Sequence, residues 1–385
     1  MASKKIKYGI IGIGKMGSIH ARKLKAGLIR NSELGAVCDN DPKRIEWAKE
    51  KLKDVQTFTN YKDLIDSGLV DAVLIATPHY IHPIIATYSI EKGIHTIIEK
   101  PAGVFTKDVR QLNEHSKKYP NVAFGIMYNQ RTNKLYRKAK EIMDSGEMGP
   151  LKRANWLITN WYRPQAYYNQ GGWRGTWSGE GGGVLINQCP HQLDLFQWLV
   201  GMPKSIRGYA KEAVIRDINV ENDVTAYMEY EGDASGLFVT STHDSPGTNR
   251  LEISCDGGKI VIENNKLEYW KLTQYESEFS KVNTKFMPKI GFKKKTVRIS
   301  KIGALLEMVF GQHTKIIKNF SEHLLNGEEL IAPGIEGING LTISNAIHLS
   351  SWQDKKLDLP LDEDKFIQEL EKKKKTDKEQ IVLEY

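Results

Sequence analysis

A lysine stands at the end of a short apolar run, in the tripeptide Glu99-Lys100-Pro101. Residues 94–98 before it predict a buried strand, and open α/β sheets bind ligands at the carboxyl ends of such strands. Pro101 restricts Lys100 to extended backbone, which holds the lysine at the mouth of the strand. Burial moves the pKa of an amine toward neutrality, so Lys100 can donate or accept a proton there. A salt-bridged surface lysine is the alternative interpretation of the same residues.

An amide and an imidazole, Asn187 and His191, stand four residues apart in the second half of the chain. Apolar residues between 185 and 201 predict a helix, on which Asn187 and His191 share one face. Pro190 leaves a second arrangement, in which the regular helix begins at the proline and Asn187 lies just before it. Both arrangements bring the two side chains together, and we expect them to be catalytic residues beside Lys100.

The first forty residues predict the cofactor that these groups would work with. In order they contain a strand, a GxGxxG motif, a helix and a second strand that ends in an acid: 6–11, 12–17, 18–26, 33–38 and Asp39. A glycine motif that follows a strand and opens a helix, with an acid about twenty residues further on, is typical of a dinucleotide site.

Each residue of the motif has an expected role. Gly12 allows the tight turn, Gly14 lets the backbone approach a pyrophosphate, and Gly17 lets the helix pack closely on the strand. Lys15 and Met16 open the helix, where free amides and the helix dipole attract phosphate groups. These five residues are the predicted pyrophosphate contacts.

The nucleoside halves of the cofactor are expected to lie at two other strand ends. Asp39 would accept hydrogen bonds from the ribose hydroxyls and repel a 2′-phosphate, which favours NAD over NADP. Lys43 and Arg44 follow closely and weaken that preference. Thr77 and Pro78 end the strand that flanks the switch point, so we expect them near the nicotinamide. The remaining expected cofactor contacts are His82, Glu99 and Lys100.

The order of the predicted elements indicates an α/β fold with two domains. Strands alternate with helices up to residue 126, which predicts a doubly wound parallel sheet, a Rossmann domain over residues 1–128. A helix over 132–145 begins an α+β domain over residues 129–385, with a large, mostly antiparallel, open-faced sheet. Its expected strands are 152–162, 205–215, 223–230, 236–242, 250–255 and 259–263. Residues 271–302 are polar and basic, and we expect an insertion that is partly loop.

The composition and charge of the chain indicate which binding partners and which cellular compartment to expect. The net charge of +8 comes with two lysine runs, 292–295 and 371–375, which predict a surface loop and a solvated helix face. No zinc-finger spacing or RNA-binding motif accompanies them, so no nucleic-acid partner and no metal are expected. Three cysteines without a CxxC pair fit a reducing compartment. Without a signal peptide or a membrane-length apolar run, a cytoplasmic protein is expected.

Aromatic and basic residues in the part of the chain that contains Asn187 and His191 suit a ligand rich in hydroxyl groups. Trp161, Trp173, Tyr162 and Trp177 can stack on the C–H faces of a sugar, although about half of them are expected to be ordinary core residues. The full set of expected substrate contacts is Lys100, Tyr128, Trp161, Arg163, Trp173, Arg174, Asn187 and His191.

Together the motifs resemble the glucose–fructose oxidoreductase and inositol dehydrogenase family, Gfo/Idh/MocA. The residues that carry the resemblance are the glycine fingerprint, Glu99-Lys100-Pro101, Gly181-Gly182-Gly183, and His191 with Asp194. The resemblance implies a two-domain NAD(P)-dependent subunit that oxidises secondary alcohols of sugars or cyclitols. It also implies a homodimer or homotetramer built through the open sheet.

One position departs from that family. Its usual triad has an aspartate four residues before the histidine, where this chain has Asn187, and an amide cannot take up a proton. We therefore expect Asn187 to hold a neighbouring hydroxyl, His191 to accept the substrate's proton and Lys100 to stabilise the alkoxide. Lys100 as the base is the alternative, and Asp194 would orient His191 or the helix, or serve as a structural cap.

Two other classes of function share these features. One is an NAD-dependent glycosidase, in which transient oxidation assists elimination without net reduction of the cofactor. The other is a non-catalytic regulator that binds NAD and a sugar. The presence of both Lys100 and His191 favours a dehydrogenase over either one.

Overall fold

The computed structural model describes residues 5–300, 303 and 311–378, and two sheets organise them. Among these residues, six parallel strands form the first sheet in the order β3-β2-β1-β4-β5-β6. The strands are β1 Ile6–Ile11, β2 Ser32–Cys38, β3 Gln56–Phe58, β4 Ala72–Ile75, β5 His95–Ile98 and β6 Phe124–Ile126. The helices between them are α1 Lys15–Lys25, α2 Pro42–Leu52, α3 Tyr61–Asp66, α4 His82–Glu91 and α5 Thr106–Ser116. This strand order is that of a dinucleotide-binding fold, and it confirms the predicted doubly wound sheet.

Nine of the described strands form the second sheet, in the order β14-β13-β12-β11-β7-β10-β9-β8-β15. They are β7 Leu151–Ile158, β8 Ser205–Glu212, β9 Glu221–Glu229, β10 Ser235–Ser241, β11 Asn249–Cys255, β12 Gly258–Glu263, β13 Lys266–Leu272, β14 Phe292–Arg298 and β15 Leu357–Asp358. All neighbours pair antiparallel except β7 and β10. Buried and exposed residues alternate along β9 and β11, because one face of the sheet packs on helices and the other does not.

Helices of the second half cover the packed face of this sheet and return to the first one. They are α6 Lys134–Asp144, α7 Gln165–Tyr168, α8 Trp177–Glu180, a π-helix Val184–Gln188, α9 Pro190–Val200, α10 Glu276–Val282, α11 Gln312–Asn326, α12 Gly337–Trp352 and α13 Glu363–Lys374. Helix α11 packs on the first sheet, where the Ser321 hydroxyl hydrogen-bonds Tyr8 at 2.7 Å and Ser32 at 2.8 Å. The chain therefore crosses between the two sheets more than once. No helix within the described ranges is long and apolar enough to cross a membrane.

The prediction for residues 271–302 was wrong in part. Instead of an insertion, much of the stretch completes the second sheet, because β13 continues to residue 272 and β14 pairs along its whole length. The lysine run at 292–295 lies on this exposed edge strand and is not a loop. Lysines on an edge strand hide the period-two pattern that identifies a strand, and they also discourage pairing with another chain. Residues 301, 302 and 304–310 lie outside the described part of the chain.

A buried ion pair joins the start of α9 to the segment after β6. The Arg131 guanidinium donates to both carboxylate oxygens of Asp194, at 2.9 and 2.5 Å, and also contacts Glu336. Arg131 and Asp194 are each 1% exposed. Burial lowers the pKa of Arg131, but the Asp194 carboxylate raises it further, so the guanidinium stays charged. Asp194 therefore anchors the helix through Arg131, which agrees with the expectation that it orients the helix rather than His191, and it does not serve as a cap.

Replacing Asp194 with asparagine is expected to lower the free energy of unfolding by about 3–5 kcal/mol, because it leaves a buried guanidinium without its main partner. Chemical denaturation followed by circular dichroism measures the change. The matched control is Asp364→Asn, which removes an exposed ion pair with Lys107 and should cost about 1 kcal/mol or less. Equal losses in the two variants would contradict the anchoring role.

Candidate active site

The lysine predicted from the Glu-Lys-Pro motif reaches across to the second half of the chain. Lys100 follows directly after β5, and its Nζ donates a hydrogen bond to the backbone carbonyl of Asn187 at 2.9 Å. Burial lowers the pKa of the lysine, and the Glu99 carboxylate only partly offsets this. An amine from the nucleotide half is thus fixed beside the π-helix, as the motif predicted for a lysine at a strand mouth.

Asn187 lies just before the regular helix rather than on it. The π-helix ends at Gln188, and α9 begins at Pro190, so the single helix through residue 201 is wrong and the alternative that begins at the proline is confirmed. Proline suits the first position of a helix because its missing N–H would have no partner there. The turn before it is held by Glu221, whose carboxylate accepts the N–H groups of Gly183 and Leu185 at 2.8 and 3.0 Å.

His191 is the second residue of α9, and its ring is mostly enclosed. Among the described residues it has no hydrogen-bond partner, and its Nδ1 is fully buried. Burial lowers its pKa to about 3, and the charge of Lys100 acts in the same direction. The ring meets the edge of Tyr128 at a centroid distance of 6.3 Å. His191 is therefore a neutral imidazole with unused polar atoms, which native proteins retain mainly at functional positions.

Tyr128 is not open to a substrate in the way that the sequence suggested. Its side chain is buried, and its hydroxyl donates to the carbonyl of Gly337 at 3.3 Å. Burial raises the pKa of the phenol well above its usual range. Tyr128 thus forms a wall against which His191 packs.

The other predicted substrate residues form one column of alternating rings and guanidinium groups. Arg163 lies 5.6 Å from the Trp161 ring and 5.0 Å from the Tyr167 ring. Arg174 lies 4.8 Å from Tyr167 on its other side and 4.4 Å from Trp173. Such stacking fixes long side chains at little entropic cost and leaves the edges of the guanidinium groups for polar contacts.

Two of the expected stacking residues do not belong to this column, which we call the lid, whereas one unexpected tyrosine does. Trp177 is fully buried against His348 and belongs to the core, while Tyr162 lies outside the column and packs near Arg216. Tyr167, which sequence reasoning did not single out, accepts three N–H groups at its hydroxyl oxygen. The donors are Arg174 at 2.8 Å, Gln188 at 3.2 Å and Asn187 at 3.3 Å.

A second residue that sequence reasoning missed is Glu180, at the end of α8. It is 2% exposed, accepts the N–H of Gly175 at 2.9 Å, contacts the side-chain amide of Asn187 and lies 3.9 Å from Arg174. Burial raises the pKa of the Glu180 carboxyl to about 7. The only sequence signal was its place directly before the Gly181-Gly182-Gly183 run, which is equally typical of an exposed turn.

The glycine motif has the shape that a dinucleotide requires. A Cβ at Gly12 would lie 2.7 Å from the Ala76 carbonyl, and one at Gly17 would lie 1.8 Å from the Gly12 carbonyl. Gly14, in contrast, faces open space. Lys15 and Met16 begin α1, whose first turn has neither a side-chain cap nor an acidic residue, so its amides are free for an anion.

The neighbouring strand ends leave groups for the rest of the cofactor. The Asp39 carboxylate supports the glycine turn through the N–H of Ile13, at 2.7 Å, and lies at the end of β2. Arg44 donates to the carbonyl of Ile13 at 2.8 Å and stacks on Trp47, so its guanidinium is engaged by the turn itself. Thr77 has a buried hydroxyl oxygen without a partner in the described residues.

Three other predicted contacts have protein partners. Both ring nitrogens of His82 lie 2.8 Å from backbone carbonyls, those of Pro101 and Thr77, so this side chain holds two strand ends together and neither nitrogen faces a cofactor. Pro78 is half-buried at the end of β4. The Glu99 carboxylate pairs with His20 on α1 at 2.8 Å, which ties the lysine motif to the dinucleotide helix.

Comparison with known proteins agrees with this geometry. The oxidoreductase family profile for the NAD-binding Rossmann fold matches residues 6–126, and the GFO/IDH/MocA C-terminal domain profile matches residues 136–261. The chain belongs to the GFO/IDH/MocA oxidoreductase family. The resemblance drawn from the motifs is thereby confirmed, as is NAD as the cofactor of this oxidoreductase.

Relatives within the family are distant. The chain is 24% identical over 264 residues to myo-inositol 2-dehydrogenase of Thermotoga maritima, covering 67% of this chain and 75% of the relative. It is 30% identical over 202 residues to inositol 2-dehydrogenase of Salmonella paratyphi B, covering 51% of this chain and only 54% of the relative. The WlbA dehydrogenase from Bordetella pertussis, solved with NADH and UDP-GlcNAcA, shares the fold with a TM-score of 0.76. That pair is 24% identical and covers 93% of this chain and 100% of the other.

Proposed function

We propose that this GFO/IDH/MocA oxidoreductase is an NAD-dependent dehydrogenase for a secondary alcohol of a sugar, glycoside or cyclitol. The observation that carries the proposal is the hydrogen bond from Lys100 to the Asn187 carbonyl. It brings the amine of the nucleotide half to the segment that bears His191, whose polar atoms are unused. The inositol dehydrogenases among the relatives support a polyol as the substrate.

The residues that would hold NAD are those at the three strand ends. Gly12, Gly14 and the amides of Lys15 and Met16 would face the pyrophosphate, Asp39 the adenosine ribose, and Thr77 the nicotinamide side. Bound NAD supplies the hydride acceptor. Asp39 beside an engaged Arg44 supports NAD over NADP, because the carboxylate would repel a 2′-phosphate and the nearest guanidinium is occupied.

The protonation states favour Lys100 over His191 as the proton acceptor. An imidazole with a pKa of about 3 holds a proton weakly, whereas an amine whose pKa is lowered from its usual value is closer to the working range of a base. In its uncharged form, Lys100 would take the proton from the substrate hydroxyl while staying bonded to the Asn187 carbonyl. His191, uncharged, would position that hydroxyl by a hydrogen bond. The roles first expected for the two residues are thus exchanged in this proposal.

The lid suits a ring that carries several hydroxyl groups. Trp161 and Trp173 offer flat apolar surfaces at the two ends of the column, and the guanidinium groups of Arg163 and Arg174 offer donors between them. The side-chain N–H groups of Asn187 are donated to Tyr167 and Glu180, so its amide oxygen is left to accept a hydroxyl next to the reacting one. Alternating apolar and polar contacts of this kind are what a pyranose or an inositol presents.

The test is to follow absorbance of the reduced cofactor with purified protein, NAD or NADP, and a panel of inositols, pyranoses and glycosides. We expect net reduction with at least one of them and a higher kcat/KM with NAD. Cleavage of a glycoside without net reduced cofactor would instead indicate an NAD-dependent glycosidase. Bound NAD with no turnover across the panel would indicate a regulator.

We further propose a homodimer or homotetramer formed through the open face of the second sheet. Tyr209 on β8, Tyr227 on β9 and Leu157 on β7 are 52%, 46% and 38% exposed, and large apolar side chains on the open face of one sheet are typical of an interface between subunits. Multi-angle light scattering of the full chain checks this, and a monomeric mass across the micromolar range would contradict it.

A further inference from the structure

We infer that Glu180 is a positioning residue of the dehydrogenase, and that its carboxylate sets the side-chain amide of Asn187 in place of an acid at position 187. This inference rests on the proposed function. It concerns the one position where the chain departs from the Lys, Asp and His triad of its family.

The first support is where the carboxylate lies. Glu180 is buried at the end of α8, and one carboxylate oxygen receives the side-chain N–H of Asn187. The backbone carbonyl of the same Asn187 receives the amine of Lys100 at 2.9 Å. The family usually has a carboxylate at position 187. In this chain Glu180, from a different segment, places a carboxylate in contact with the Asn187 side chain instead.

The second support is that α8 is held by two other segments of the chain. His79, in the 3-10 turn His79–Ile81 after β4, contacts the Glu180 carbonyl through Nδ1 at 2.9 Å, and the Tyr80 hydroxyl donates to the Trp177 carbonyl at 2.5 Å. From the far end of the chain, Asp377 accepts the N–H groups of Trp177 and Ser178 at 3.0 and 2.7 Å. A carboxylate on so constrained a helix can position a neighbour with little freedom.

Charged groups from every adjoining element act on this carboxyl. Burial raises its pKa most, while the N–H of Gly175, the Arg174 guanidinium and the Asn187 amide lower it, and the Glu221 carboxylate of β9 raises it again, to about 7. Lys100 lies close enough that Glu180 raises the pKa of the amine. Glu180 therefore changes charge in the range in which the enzyme works.

The two charge states impose opposite orientations on Asn187. An ionised Glu180 only accepts hydrogen bonds, so the amide must turn its N–H toward it and leave its oxygen for a substrate hydroxyl. A protonated Glu180 donates its O–H, so the amide oxygen of Asn187 must accept it. The N–H group of Asn187 is then left for the substrate hydroxyl. In the structure Asn187 donates its N–H to Glu180, which is the arrangement of the ionised form. Because this form leaves the amide oxygen for the substrate, kcat/KM should rise with pH around 7.

The test compares pH profiles of kcat/KM for the wild type and Glu180→Gln, with the best substrate of the panel. A glutamine keeps the shape, and because the N–H of Gly175 requires its oxygen, its NH2 group faces Asn187 as a donor, like the protonated acid. We expect the variant to lose the rise around pH 7 and about 10- to 100-fold of kcat/KM above it, mainly in kcat. The control Glu336→Gln removes a carboxylate bound to Arg131, away from Asn187, and should keep the wild-type midpoint.

A rescue separates positioning from folding. The double variant Glu180→Gln, Asn187→Asp returns a carboxylate to the network, where it accepts the glutamine N–H, and should recover at least about tenfold of the lost kcat/KM. Thermal melting and NAD binding by fluorescence verify that each variant is folded.

An unchanged pH midpoint in Glu180→Gln, or a loss of activity that the double variant does not recover, would overturn the inference. A wild type without turnover on any substrate would refute the proposed function instead, so the two failures are distinguishable.

Discussion

Replacing Lys100 with methionine is expected to lower kcat/KM for alcohol oxidation by about 10³-fold or more. Methionine keeps most of the apolar stem and removes only the amine, which is the atom that crosses to the Asn187 carbonyl. The loss combines two effects, because the substrate proton loses its acceptor and the alkoxide loses a nearby donor. Lys100→Arg should lower kcat/KM by nearly as much, since a guanidinium stays charged and cannot accept a proton.

Steady-state absorbance of the reduced cofactor measures this loss, and NAD binding by fluorescence should change little. Lys204→Met is the matched control, because Lys204 is 54% exposed and pairs only with Glu231 among the described residues. The lowered pKa of Lys100 adds a pH test: oxidation by the wild type should show a second rise with pH as the amine loses its proton, separate from the rise assigned to Glu180, which Lys100→Met should lack and Glu180→Gln should keep. Turnover by Lys100→Met at half the wild-type rate would refute the role given to the amine.

The nucleotide half could be predicted almost entirely from the sequence, because local rules specify it. Buried parallel strands give continuous apolar runs, and a glycine at 12 or 17 is demanded by contacts that lie within the same strand-turn-helix unit. The five predicted strands of this half differ from the observed ones at their ends, whereas the short strand β3 and the helices α2 and α3 were not predicted. The lysine after β5 was identified for the same reason, since its position depends on one strand and one proline.

The second half was harder, because what decides it lies far apart along the chain. The Asp194–Arg131 pair joins residues 63 positions apart, so a pattern around Asp194 alone suggested a cap or a partner for His191. Likewise, β14 is recognisable only from its pairing with β13, since four of its seven residues are basic. Local spacing did locate Asn187 and His191, because a single proline determines where α9 begins.

Glu180 shows most clearly why the site could not be completed from sequence. A glutamate between glycines is typical of an exposed turn, and nothing in residues 177–183 indicates burial. Its environment comes from β4, β9 and the end of the chain, which converge on α8 only in the folded protein. The departure at Asn187 was visible in the sequence, whereas the carboxylate beside it was not.

Replacing His191 with leucine is expected to lower kcat/KM by about 100-fold or more while leaving the protein as stable as the wild type, or more stable. The imidazole has no hydrogen-bond partner among the described residues, so an apolar side chain of similar size removes a desolvation cost and breaks no contact. The gain in stability of His191→Leu over the wild type should grow as the pH falls. A histidine whose pKa is about 3 when folded and 6.5 when unfolded costs stability throughout the interval between those values, and leucine does not.

Thermal melting at pH 5 and pH 8, beside steady-state kinetics, separates this outcome from that of a structural histidine. The matched control is His20→Leu, because His20 is buried and its Nε2 is hydrogen-bonded to the buried Glu99 carboxylate at 2.8 Å. That variant should lose stability at both pH values, since a buried carboxylate loses a neighbour. If His191→Leu were also destabilised and its activity loss followed the unfolded fraction, His191 would be a core residue. A stable, folded and nearly inactive His191→Leu enzyme is what a substrate-positioning imidazole requires, because only a ligand can use the atoms that the protein leaves unpaired.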